Sequence, residues 1–154
     1  MKRERRVLLA VAMAAALLAG CSAKKEKLPE PQELFETIQQ EVELPEMVDL
    51  AEELLLDSTG ISEDSYDSAV YLLLEEGTGP DEIVIIQATN QDAAVDIQEK
   101  LEKRLEDKEK AAQVYLTEYM PIIQQGAVRK DGLTISLIVA EKAEEILQVY
   151  EKYQ

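Results

Sequence analysis

The chain has no His, no Trp, one Phe and one Cys, and half as many basic as acidic side chains: 16 Lys+Arg against 32 Asp+Glu in 154 residues. Each shortage excludes something. Without His there is no Ser-His-Asp triad, no Cys-His pair and no imidazole metal ligand. One Cys permits neither an internal disulfide nor a CxxC redox or zinc motif. A formal charge of -16 argues against nucleic-acid binding, because neutralising phosphates takes clustered Lys and Arg. The length fits one domain, with or without a tail.

The scarce basic residues are concentrated at the start. Lys2, Arg3, Arg5 and Arg6 precede an unbroken apolar run of 12 residues, 7–18. That is the layout of a secretory signal. The run is shorter than the roughly 18 residues a spanning helix needs. It ends Leu18-Ala19-Gly20-Cys21. This resembles the lipobox of bacterial lipoproteins, in which small residues admit the backbone to a protease and the thiol becomes a thioether to diacylglycerol. The resemblance implies cleavage between Gly20 and Cys21, leaving Cys21 as the lipidated first residue. Two or three acyl chains hold a protein stably, at about 0.8 kcal/mol per buried CH₂. The expectation is a lipid-anchored protein on the extracytoplasmic face of the cell membrane.

Residues 1–20 carry four basic side chains and one acidic one, so the mature chain keeps 12 basic and 31 acidic residues, a formal -19. Residues 21–31 then read as the lipidated Cys and a polar, Pro-punctuated tether. Lys24, Lys25 and Lys27 stand either in solvent or against anionic head groups. A single domain is expected over residues 32–154.

Within it, Leu34, Phe35, Ile38 and Val42 recur at helical spacing, which predicts a helix over 32–42. Pro45 ends it. Residues 49–57 form a second helical candidate, stopped at Thr59-Gly60. Residues 69–74 and 83–86 are continuous apolar runs around a Gly-Pro-Asp turn, which reads as a hairpin. Asn90 is a good N-cap for a long helix to about Met120. Its stripe runs Ala94, Ile97, Leu101, Leu105, Ala112, Tyr115 and Tyr119, with one seven-residue step that passes over Lys108. Residues 127–129, a Lys-Asp-Gly turn and the 133–139 strand form a second hairpin; Thr134 and Ser136 alternate there with apolar residues, which predicts a half-buried strand. A helix over 141–153 closes the chain.

The order α-α-β-β-α-β-β-α predicts an α+β domain. Its antiparallel sheet has about four strands in two hairpins, and the long and C-terminal helices pack on it. The strands 69–74 and 83–86 are apolar on both faces. One face is expected to meet the long and C-terminal helices. The other needs the two N-terminal helices or a partner.

The residues Thr78-Gly79-Pro80-Asp81-Glu82-Ile83-Val84, the charged helix ending Tyr119-Met120-Pro121, and Val128 with Gly132 before an apolar strand resemble the family known as domain of unknown function 4358. These are small bacterial lipoproteins, mainly of Gram-positive lineages. The similarity spans residues 30–152 and departs from the pattern at Leu133, where an aromatic residue is expected. It implies no activity.

No catalytic residue, metal ligand or cofactor is recognisable. The acidic stretch 57–67 lacks EF-hand spacing, since Gly60 falls at the fourth position from Asp57. Asp57-Ser58-Thr59-Gly60 has one residue too many for an aspartic-protease motif. Gly77-Thr78-Gly79-Pro80 joins two strands and lacks the Gly-Lys of a phosphate loop. Tyr115 and Tyr119, one turn apart, read as core aromatics or as the wall of a ligand pocket. The expected function is a non-enzymatic binding or protein-interaction module. It would meet the membrane through its lipid and have room for a protein partner in the envelope, without nucleic acid; the chain does not set its oligomeric state. The alternatives are a small-ligand capture lipoprotein and an envelope enzyme independent of His and Cys.

Overall fold

The structure is a computed structural model that describes residues 28–75 and 79–153. Gly20 and Cys21 lie outside the described residues. A five-stranded antiparallel sheet is ordered β1-β2-β3-β5-β4. Its strands are β1 (Met47–Asp49), β2 (Tyr66–Leu74), β3 (Glu82–Ala88), β4 (Ala127–Asp131) and β5 (Thr134–Val139). The helices are α1 (Pro31–Glu41), α2 (Ala51–Thr59), α3 (Gln91–Tyr115), α4 (Met120–Ile123) and α5 (Ala143–Glu151). Both expected hairpins form. They join through pairing of β3 with β5, which leaves β1 and β4 at the edges.

The fifth strand is the first correction. β1 pairs Met47, Val48 and Asp49 with Leu74, Leu73 and Leu72. Three residues are too few to display an alternation, so only a partner strand reveals it. The Asp49 carboxylate then ends the strand by accepting from the Tyr71 backbone N–H at 2.9 Å and the Ala51 N–H at 3.0 Å.

The sheet is sandwiched. β3 is buried at every position, as a central strand with helices on both sides must be. Ile83 and Ile85 join Val70, Leu72 and Ile138 under α1 and α5. Val84, Ile86 and Ala88 join Tyr71, Ile135, Leu137 and Val139 under α2 and α3. The long and C-terminal helices therefore lie on opposite faces, contrary to the expectation that they share one. Each face receives one N-terminal helix and one later helix. Periodicity says that a strand is apolar on both sides. It does not say which helix covers which side.

Two further differences concern α3 and β5. Asn90 caps α3 as expected, accepting from the Ala93 N–H at 3.0 Å. The helix stops at Tyr115, however, because Leu116 leaves helical geometry at φ -139, ψ 47. Pro121 opens the following α4 rather than closing α3, a position where its missing N–H costs nothing. β5 is buried throughout, Thr134 and Ser136 included. Its alternating polar face meets α5 and not water. No helix among the described residues is long and apolar enough to cross a membrane.

Candidate functional site

Charge is buried where the N-terminal end of β3 meets the middle of α3. Glu82 opens β3 with no exposed surface. Its carboxylate accepts from Lys108 Nζ at 2.7 Å, from Arg104 Nε at 3.0 Å and from Arg104 Nη2 at 3.3 Å. Arg104 and Lys108 are one helical turn apart, so both reach the same point of the sheet. Arg104 Nη2 also approaches the Tyr71 hydroxyl at 3.4 Å. The step in the α3 stripe at Lys108 is therefore where the core holds an ion pair.

The electrostatics follow from the packing. Burial by itself would raise the Glu82 carboxyl; the Lys108 ammonium and the Arg104 guanidinium outweigh it and hold the group below the ordinary 4.5. Tyr71 is driven up by burial and by the neighbouring Glu82 charge, opposed by Ser58 and Arg104. A carboxylate held in its ionised form by two cations is a poor proton donor. The arrangement locks β3 and β2 to α3.

A second polar group lies on the opposite face. Ser68, Gln87, Thr134 and Asp131 line up across four strands by register. Thr134 Oγ1 donates to Gln87 Oε1 at 2.9 Å inside the core. In the next row, Ser136 and the fully buried Tyr150 of α5 carry hydroxyls with no partner at hydrogen-bonding geometry. Burial pushes the Tyr150 hydroxyl far up, with Ser136 and Arg129 only partly opposing. The Arg129 guanidinium sits 5.5 Å from the Tyr150 ring centre.

At the surface, a groove of about 360 Å³ runs between the outer side of α3 and residues 126–128 at the start of β4. A shallower one of about 270 Å³ lies beside Asp49, Glu52 and Glu53. Tyr115, expected in the core stripe or a pocket wall, stands 80% exposed. The buried positions of α3 stop at Ala112, so the helix end carries Val114 and Tyr115 past its packed length. Tyr119 is half-buried against the α3-side core. The two tyrosines line neither groove. Among the described residues no group of acidic side chains is arranged to hold a metal.

No motif or spacing in the chain marks Glu82, Arg104, Ser136 or the Tyr150 hydroxyl. The available signals were an acid heading an apolar strand and a lysine within an apolar helix stripe.

The family described as domain of unknown function, DUF4358, matches residues 40–140. No curated protein matches the chain. No solved structure matches it either.

Proposed function

The chain belongs to the DUF4358 family, and from that premise we propose that it is a membrane-anchored extracytoplasmic lipoprotein whose domain is a non-enzymatic binding or protein-interaction module. The anchor reading is carried by the lone Cys at position 21, which directly follows the apolar run and two small residues. Intact-mass analysis of the membrane fraction tests it: the expected mature N-terminus is diacylated or triacylated Cys21, and any other terminus overturns it.

The interaction reading is supported by how the buried charge is used. Glu82, the one fully buried carboxylate among the described residues, is neutralised by two cations, which suits a scaffold better than acid-base chemistry. The chemistry is then left to the surface, where Leu56, Val95, Val114 and Tyr115 stand exposed. Crosslinking in native membranes tests this reading, with a discrete partner expected and its absence overturning it. A small-ligand capture role draws support from a different observation, the buried hydroxyls of Ser136 and Tyr150, which neighbour each other without good hydrogen-bond geometry, since buried polar groups ordinarily have well-formed bonds.

A further inference from the structure

The two sheet edges differ in how they are guarded. β1 is only three residues long, and short edges resist pairing with other chains. β4 has five residues. Its hairpin end is charged: Lys130 is exposed, and Arg129 pairs with Asp131 at 3.4 Å. Its other end, Ala127 and Val128, carries no such guard and opens onto the groove beside α3.

The turn fixes which backbone groups are available. Asp131 and Thr134 close a two-residue turn, and Gly132 takes φ +66 there. Pairs alternate between hydrogen-bonded and non-bonded along an antiparallel ladder. Counting back from the closing pair, the N–H and C=O of Val128 and Lys130 point outward from the sheet. Among the described residues, no backbone hydrogen bond joins residues 127–130 to anything but β5.

The groove wall is acidic. Glu102, Glu106 and Glu109 of α3 face it, over a floor of Leu105, Ala127 and Val128. Two of these acids have local partners: Lys110 lies 2.5 Å from Glu106, and Gln98 donates to Glu102 at 2.8 Å. The three carboxylates rise along the helix by about 6 and 4.5 Å. Side chains on one face of a strand repeat at about 6.6 Å. A strand added beside β4 would turn every second side chain to the α3 side of the sheet, at a spacing close to the step of about 6 Å from Glu102 to Glu106.

We infer that the outer edge of β4 and the Glu102–Glu106–Glu109 face of α3 together form a docking groove for an extended, lysine- or arginine-bearing segment of a partner protein, which adds to the sheet as a sixth strand. Main-chain hydrogen bonds to Val128 supply affinity, and alternate basic side chains facing α3 supply selectivity. This deepens the interaction-module reading and rests on it.

The test uses the full chain in a non-ionic detergent and a labelled Val-Lys-Val-Lys-Val-Lys peptide, followed by fluorescence anisotropy. Saturable binding is expected. The triple variant Glu102→Gln, Glu106→Gln, Glu109→Gln should weaken it at least tenfold. Methylating alternate backbone nitrogens of the peptide should weaken it as much. A control triple at exposed acids elsewhere, Glu33→Gln, Glu36→Gln, Glu144→Gln, should change it less than twofold. No binding, an equal loss in the control, or indifference to methylation overturns the groove. A photoreactive residue at Glu106, Leu56 or Val114 in cells separates the two levels. An adduct from Glu106 that disappears with Glu102→Gln and Glu109→Gln supports the groove. Adducts from Leu56 or Val114 alone overturn the groove and leave the interaction reading standing. Adducts from none of the three overturn both.

Discussion

Lys108 Nζ lies 2.7 Å from the carboxylate of Glu82, a residue 26 positions earlier that is wholly buried at the head of β3. Arg104 completes the pairing from the preceding turn of α3. The arrangement is asymmetric. The acid has no exposed surface, while the side chains of Arg104 and Lys108 remain 29% and 18% exposed.

That asymmetry sets the cost of breaking it. Arg104→Met with Lys108→Met strands an ion in the core, and the double variant should lose about 3–5 kcal/mol of stability. Glu82→Met should lose distinctly less, because long cationic side chains can turn their heads to water. Urea unfolding of the variants measures both. Equal losses would mean that the cations are as confined as the acid.

The same pair predicts an acid response. The folded-state pKa of Glu82 lies below its ordinary 4.5, so between those two values the unfolded chain binds the extra proton. Stability from this group is complete above the ordinary value and is lost as pH falls through the folded one. Glu82→Gln should abolish that component. Subtracting the variant's stability-pH curve from the parent's should leave a difference that falls on acidification below 4.5. A difference that is flat there would contradict the assignment.

The poorly bonded hydroxyls of Ser136 and Tyr150 make a prediction of opposite sign. Ser136 Oγ and Tyr150 OH neighbour each other without good hydrogen-bond geometry, so Ser136→Ala and Tyr150→Phe remove at most a weak contact between two buried hydroxyls. Each variant should be neutral or up to about 1 kcal/mol more stable by thermal melting. A larger loss from either would place a bound water or ligand at the pair and favour the capture reading.

Two glycines are required for different reasons. A Cβ on Gly126 would meet Ile123 O at 2.8 Å, Leu105 Cδ1 at 2.9 Å and Val139 Cγ2 at 3.0 Å. Gly126→Ala should therefore cost about 1–3 kcal/mol through crowding. Gly60 ends α2 at φ +74 with open space around it. Gly60→Ala should cost about 1–2 kcal/mol from the left-handed backbone alone. Asn tolerates that conformation, so Gly60→Asn should recover much of the loss, whereas Gly126→Asn should not. Chemical denaturation of the four variants checks the pattern.

Much of the domain was legible from the chain. The Asn90 cap, the Asp131-Gly132 turn and the two apolar runs 69–74 and 83–86 gave α3 and both hairpins, because caps, turns and side-chain periods act over a few residues. β1 was not legible, since its three residues gain their structure from Leu72, Leu73 and Leu74. Thr134 and Ser136 looked like a wet face because they alternate with apolar residues. They are buried because α5 returns over them. Lys108 was visible as a break in a helix stripe, but any of 31 acids in the mature chain could have been its partner.

The residues taken along the chain set the types of the longer elements, the acidic balance and the position of the only Cys, since each is local or additive. Tertiary structure alone decided which helix covers which face, that Glu82 is the acid Lys108 neutralises, and that β4 is left as an open edge beside acidic α3. Those outcomes depend on residues brought together by folding, and no spacing along the chain encodes them.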